Sequence, residues 1–376
     1  MSEIYKKIQG TLLSPCCFSD RPAMGNEVDT LDYIPGSAVR GILANAFLNN
    51  GNDANEDFRN IFCSDSICFP NLYPQHRDSD SQTYPIPLSI YTCKTKPGFI
   101  NEPNTHGARD MLFENFDGSN DRRCEVDSDC GYAPLVPIKG FYNGNSQRPK
   151  QYIPDKLIIT RTAVNSISNS ALEASLHSQQ ELPEGSRLQG VISLKDDDLY
   201  IKLIEGLGSE ELVVYAGRRR MGKIELNLSE NAVKPNSEFL DIPKEEGFMF
   251  FTLTLLSDAI VMDELLRPVI TLTPTIMKDR QIGFPEDVDI TIVKAFCGKR
   301  IISGWHSVAK IFKPDDLAII KGSTFLMRIE EKHKDMVKKW MEEILCTGIG
   351  LRRSEGFGQI SISANIHIMG SRGDAL

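Results

Sequence analysis

Two stretches of this chain carry side chains suited to gripping a phosphate backbone. In AGRRRMGKIELNL, Gly217 and Gly222 flank Arg218, Arg219 and Arg220, and Lys223 follows. In GIGLRRSEGFGQISIS, Gly348, Gly350, Gly356 and Gly358 bracket Arg352 and Arg353. Glycine lets a backbone come close to a ligand and expose its N–H groups, while the planar guanidinium fork matches phosphate oxygens. A single such stretch reads first as a tight turn with solvated arginines. Recurrence near the close of each half of the chain favours phosphodiester binding. Neither stretch is a Walker A loop or a dinucleotide fingerprint. A third group is soft: Cys93, His106, Cys124 and Cys130 are separated by twelve, seventeen and five residues. Zinc takes four thiolate or imidazole ligands in a tetrahedron, and such a site can fold a loop that lacks an apolar core. A closed structural zinc site is expected, with Cys63 and Cys68 as competing ligands and free thiols as the plain alternative.

The elements that must position these groups follow from periodicity. Ile4, Ile8 and Leu12 alternate in a first strand. Val39, Ile42, Leu43, Ala46 and Phe47 then share one face of a helix, with Pro35-Gly36 turning the chain into it and Ser37 as the expected N-cap. From Asn49 to about Lys150 the chain is polar, rich in Asn, Asp, Pro and Gly, and holds five of its nine cysteines. It reads as an insertion with little regular structure. Strands are expected at LIITRTAV, RLQGVISL, IELNL, FMFFTLTLL, VDITIVKAF and STFLMRI, with a polar linker over 229–244. EEKHKDMVKKWMEEIL is a helix with Met336, Val337, Trp340, Met341, Ile344 and Leu345 on one face. The duplicated glycine–arginine passage suggests two βαββαβ units. The expected fold is α+β, two ferredoxin-like units in tandem, the first over 1–235 with the cysteine-rich insertion at about 50–150, the second over 236–376.

Composition narrows the class. The 376 residues carry 42 Lys+Arg against 51 Asp+Glu, 41% hydrophobic and 25% charged residues, a balance that excludes wholesale disorder and collagen-like fibre. No apolar run approaches the ~20 residues of a spanning helix, and MSEIYKKIQG lacks the apolar core of a signal peptide, so a cytoplasmic protein is expected. The acidity is uneven. Residues 51–130 hold 14 acidic and 7 basic side chains, so most of the net −9 resides there and the body can still present basic loops.

The order YIPGSAVRG after the first strand, ITRTAV in mid-chain and the closing GIGLRRSEGFGQISI resembles the RAMP superfamily of CRISPR effector proteins. TRTAVNSISNSALEASL resembles the segment before the RAMP thumb hairpin. The cysteine-bearing insertion and SGWHSVAKIFKPDDLAIIKGSTF resemble the type III-D subunit that caps the five-prime end of the guide RNA. The resemblance implies a non-catalytic crRNA-binding subunit of a type III-D interference complex that grips the repeat-derived 5' tag. It implies backbone RAMP subunits and the large polymerase-like subunit as partners, with target RNA met only indirectly. It also implies that Gly36, Ser37, Arg40, Arg161, Arg218, Arg219, Arg220, Lys223, Arg352 and Arg353 lie toward RNA. The stacking motif of RNA-recognition sheets is absent, so base stacking on the sheet is not expected. One alternative is a RAMP endoribonuclease for guide processing or target cleavage. The first histidine is His76, far from Pro35–Arg40, which leaves His306 beside Trp305 and Asp32 as its candidates. Another is an assembly adaptor that touches only proteins.

Overall fold

The computed structural model describes residues 4–19, 26–75, 82–114, 123–126, 128–144, 148–165, 167–172, 175–228, 231–232, 234–241, 247–306, 310–373 and 376, with side chains at 305–306 outside the description. The 229–244 passage expected as a linker falls partly outside these residues, and His76 wholly so.

The chain opens on β1 (Ile4–Leu12), whose Ile8 and Leu12 are fully buried. Helix α1 (Gly36–Asn49) lays Val39, Leu43 and Phe47 on the same core, as the periodicity predicts. Its N-cap is Pro35, not Ser37: the helix starts two residues earlier than expected, and the Gly36 N–H is accepted by the Asn71 side chain at 2.8 Å. Next come α2 (Glu56–Phe62), β2 (Ile67–Cys68) and β3 (Tyr73–Pro74). These correct the expected insertion boundary. Asn55 caps α2, and Phe58, Ile61, Phe62 and Ile67 join the main core, so residues 56–74 belong to the first layer. Aromatic residues scattered through a polar stretch hid this periodicity.

The cysteine-rich part then forms a small sheet from β4 (Ile90–Cys93), β5 (Ala108–Asp110) and β6 (Leu135–Pro137). Strands β7 (Leu157–Arg161) and β8 (His177–Glu181) pair as an antiparallel arm. β9 (Arg187–Leu194), α3 (Asp197–Leu207), β10 (Glu211–Ala216) and β11 (Gly222–Asn227) complete the first layer. Its sheet is antiparallel in the order β10-β11-β1-β9-β2, with β3 also on β9. Helices α1 and α3 lie against its apolar face.

The second half runs through β12 (Phe248–Leu255), the short α4 (Pro274–Lys278), β13 (Ile290–Phe296), a hairpin of β14 (Lys299–His306) and β15 (Ile311–Ile319), β16 (Thr324–Glu330), α5 (Lys334–Thr347), β17 (Ile360–Ile362) and α6 (Asn365–Ser371). The sheet order is β13-β16-β12-β17, all antiparallel. Phe251, Phe325 and Met327 pack under Val337, Trp340 and Met341 of α5, while Met336, expected on that face, is 48% exposed. Helices α3 and α6 and the β14–β15 hairpin were not foreseen. The architecture is α+β, with two main sheets and several small ones.

The halves touch closely. A Cβ on Gly36 would sit 2.4 Å from the Phe69 carbonyl and 2.7 Å from the Gly356 Cα. Away from this seam, in the cysteine-rich part, Asp110 meets the His367 ring of α6 at 2.5 Å with both side chains fully buried, and the other ring nitrogen lies 2.9 Å from the Thr254 hydroxyl. Gly36→Ala should therefore lower stability by about 1–3 kcal/mol through overpacking. Gly41→Ala, in the same helix with nothing near its Cβ position, should raise it by about 0.5–1 kcal/mol. Thermal unfolding of the two variants checks the opposite signs.

Candidate nucleic-acid interface and metal centre

The two glycine–arginine turns share a backbone feature that periodicity does not reveal. Arg219, Arg220 and Arg352 all have left-handed backbones, at φ 55°, 53° and 57°. Non-glycine residues rarely adopt this region, and it costs on the order of 1 kcal/mol or more for each. In the first turn, Gly217 lies against the Cys17 carbonyl, which accepts the Arg218 N–H at 2.7 Å. Arg219, Arg220 and Lys223 are exposed. Among the described residues no carboxylate salt-bridges Arg219 or Arg220. The Lys223 ammonium lies 5.4 Å from the Tyr215 ring centroid.

Arg161, the last residue of β7, comes to the same neighbourhood. It binds Glu181 at 2.6 Å, and its buried Nε–H has no partner among the described residues. Burial pushes the Cys17 thiol up to about 11, against the lowering fields of Arg218 and Arg161, with Glu181 raising it further. The fold thus gathers Arg161 and Arg218–Arg220 around one edge of the first sheet.

The second turn faces inward. Arg352 binds Asp316 of β15 at 2.7 Å and Glu355 at 2.8 Å, and its guanidinium lies 4.8 Å over the Phe357 ring. Arg353 reaches Asp65 at 3.4 Å. Arg40 of α1 pairs with Glu355 at 3.2 Å and donates to the Phe62 carbonyl. Lys313 of β15 completes the group at 2.9 Å from Glu355. Gly36 is buried, Ser37 half-buried, and the α1 N-terminus lies under the Glu355–Gly356 backbone. Arg40, Arg352 and Arg353 therefore assemble with Gly36 at the seam, apart from the Arg219–Arg220 turn. Glu355, Asp316, Lys313 and Asn71 were missed by sequence reasoning. Glu355 alone had a signal, three residues after Arg352 in the same motif.

A second polar group sits in the seam. Asp258 accepts the Lys321 N–H at 2.8 Å and pairs with Arg300 at 3.4 Å, and the Lys321 ammonium lies 3.8 Å from the Tyr33 ring centroid. Burial brings Lys321 down to about 8, an effect that Asp258 partly offsets. Asp32, the nuclease candidate, is tied to Lys156 at 2.6 Å.

The soft residues converge as their chemistry requires. Ligand atoms of Cys93, His106, Cys124 and Cys130 all lie within 4.8 Å of one another, with the three cysteines buried. Four ligands at ~2.3 Å around a tetrahedral zinc stand about 3.8 Å apart, so the cluster needs little adjustment to close on one ion. β4 delivers Cys93, and a short turn delivers Cys130. The Ala133 carbonyl accepts the Cys124 N–H at 2.9 Å. Cys63 is exposed, and Cys68 is buried with its thiol directed to the Thr347 carbonyl. Neither joins the cluster.

The family model for a CRISPR-associated protein (Cas_Cmr3) matches residues 166–364, more than half of the chain. The chain belongs to the Cas_Cmr3 family. Its likeness to RAMP-type CRISPR effectors, carried by the glycine–arginine passages and the mid-chain run, is borne out. No curated protein matches the chain. It is similar to a chain in the type III-B Cmr-beta bound to cognate target RNA and AMPPnP, at 15% identity and TM-score 0.47 over 89% of both chains. It is also similar to one in Cmr-beta bound to cognate target RNA, at 14% identity and TM-score 0.46 over 89% of both. A Cas6-related protein from Pyrococcus furiosus is similar at 12% identity and TM-score 0.33, over 95% of this chain and 98% of that one. Likeness at this level assigns neither fold nor partner.

The Glu355 cluster has a pH signature. Burial raises the carboxyl pKa, but the hydrogen bond and charge of Arg352, then Lys313 and Arg40, outweigh this and bring it down to about 2. The folded state thus holds this group ionised more strongly than the unfolded chain, whose carboxyl titrates near ~4.5. The resulting stability is present above that value and is lost as pH falls toward 2. It amounts to roughly 3 kcal/mol at most. Glu355→Gln should flatten that part of a denaturation-versus-pH curve between about pH 4.5 and 2.

Proposed function

We propose that this Cas_Cmr3-family chain is a non-catalytic RNA-binding subunit of a type III-D CRISPR effector complex. It holds the 5' repeat-derived tag of the crRNA, caps the backbone of RAMP subunits and abuts the large polymerase-like subunit, in the cytoplasm. The observation that carries this reading is the Gly217–Lys223 turn. Its Arg219 and Arg220 guanidiniums are exposed on a left-handed backbone, with no carboxylate salt-bridged to them among the described residues. Two adjacent exposed guanidiniums beside Lys223 suit consecutive phosphates of a single strand. Arg161 and Arg218 extend that edge. On this reading Gly36, Ser37, Arg40, Arg352 and Arg353 act at the seam, where they hold the second turn in shape and approach RNA from its rim.

The sheet orders support two ferredoxin-like units in tandem. In each, the last strand lies beside the first, whose other neighbour is the strand leading into a helix, β9 before α3 and β16 before α5. On this reading the division lies near residue 235. The cysteine–histidine cluster fits a structural zinc ion, which would bind four protein ligands, leave no open position for chemistry and fix the loops of the insertion. Asp32, occupied by Lys156, speaks against a nuclease centre at the first strand–helix junction.

Purified with its complex, the protein should carry guide RNA. Arg219→Ala with Arg220→Ala should lower the log–log salt slope of single-stranded RNA binding by roughly 1.4, the share of two phosphate contacts. An unchanged slope and affinity would overturn the assignment of the turn. About one zinc per chain is expected on metal analysis, falling to background in Cys93→Ser with Cys124→Ser. Cobalt substitution should give thiolate-to-metal charge-transfer bands in the wild type alone.

A further inference from the structure

A cavity of 810 Å³ opens between the open face of the first sheet and the β17–α5 edge of the second unit. Its size is that of a site for a ligand of nucleotide dimensions. The lining is unlike the seam clusters. Side-chain amides of Gln82, Gln359 and Asn365 face it and make no hydrogen bond to the described residues. The Ser361 hydroxyl, of a residue also in the lining, is buried without a partner among the described residues. A buried polar atom with nothing to bind costs free energy until a ligand or water satisfies it. Lysines outnumber carboxylates in the lining three to two, with Lys7 on β1 and Lys338 on α5 at opposite walls. Phe357 adds an apolar surface.

This set has a specific chemical reading. An amide offers a donor pair and an acceptor side by side, the alternation found on the edges of unpaired nucleobases. A fatty or aromatic ligand would leave the amides unsatisfied. A polyanion recognised only through phosphate would want arginines, and none lines the cavity.

We propose that this cleft is a second RNA subsite that admits one or two unpaired nucleotides, with Gln82, Gln359, Asn365 and Ser361 bonding base edges and Lys7 and Lys338 facing the flanking phosphates. It rests on the RNA-binding reading above but invokes different residues. The outer turn supplies charge, and the cleft supplies sensitivity to the base.

The two roles separate on a pair of probes, a short single-stranded oligoadenylate and an abasic strand of equal length, titrated against the full chain. Gln359→Ala and Asn365→Ala should each weaken oligoadenylate binding roughly fivefold to tenfold. They should leave the abasic strand and the salt slope unchanged. Arg219→Ala with Arg220→Ala should weaken both strands alike. Asn365 is exposed, so its variant carries the test should Gln359→Ala lower the unfolding temperature. Equal losses on both strands in the cleft variants, or no loss on either, overturn the cleft assignment. Adenosine monophosphate binding as tightly as the oligomer overturns it in favour of a free nucleotide. Loss in the cleft variants with no effect of the turn variants keeps the cleft and removes the turn.

Discussion

The carboxylate of Glu355 is the interaction on which the arrangement turns. It is 11% exposed and shared by Arg40 from α1, Arg352 from its own loop and Lys313 from the β14–β15 hairpin. Taking one anion and three cations out of water is costly, and the mutual attraction offsets that cost only when the geometry is good. What the cluster contributes above all is register. Three elements far apart in sequence must meet at one oxygen pair, directly over the contact of Gly36 with Gly356. A side chain larger than hydrogen at either glycine would force the elements apart and lengthen every one of these bonds.

The duplicated turns show how one backbone device serves two ends. Both present arginine from a left-handed conformation, which turns the side chain away from the course of an ordinary turn. In the second copy a carboxylate from β15 and one from the same turn stand in the path of that side chain, and the charge is spent internally. In the first copy the path leads to solvent. Equivalent position in a repeat does not make residues equivalent in role, because the neighbours decide whether a guanidinium is available.

Much of this was legible in the residues. Alternation placed β1, β9, β11, β12 and β16, and the heptad-like face of α5 was read correctly except at Met336, which the helix rotates to the surface. The soft-ligand cluster was identified from residue type despite loose spacing, with Cys63 and Cys68 of the same polar segment as competitors that only the tertiary structure sets aside. Other features escaped for physical reasons. Residues 56–74 entered the core through isolated phenylalanines and isoleucines, too short a run to show a period. Strand β15 is exposed or half-buried until Ala318 and Ile319, and β14 buries Ile302 among its described side chains, too few apolar positions to show a period. The carboxylates that pair with Arg40, Arg352 and Arg353 come from distant parts of the chain, and only tertiary structure brings Asp65, Asp316 and Glu355 to them. The motif singled out the arginines; which of them meet a carboxylate it could not show.

The Asp110–His367 contact has a further implication for how the molecule can be divided. The aspartate belongs to the cysteine-rich part in the first half, while the imidazole and both hydroxyls near it, on Thr254 and Thr324, belong to the second. Each half, taken alone, would expose half of a bonded set and an apolar wall beside it. Two fragments cut between Leu228 and Phe248 would thus recognise one another, and the chain is suited to splitting into a complementing pair rather than into autonomous modules.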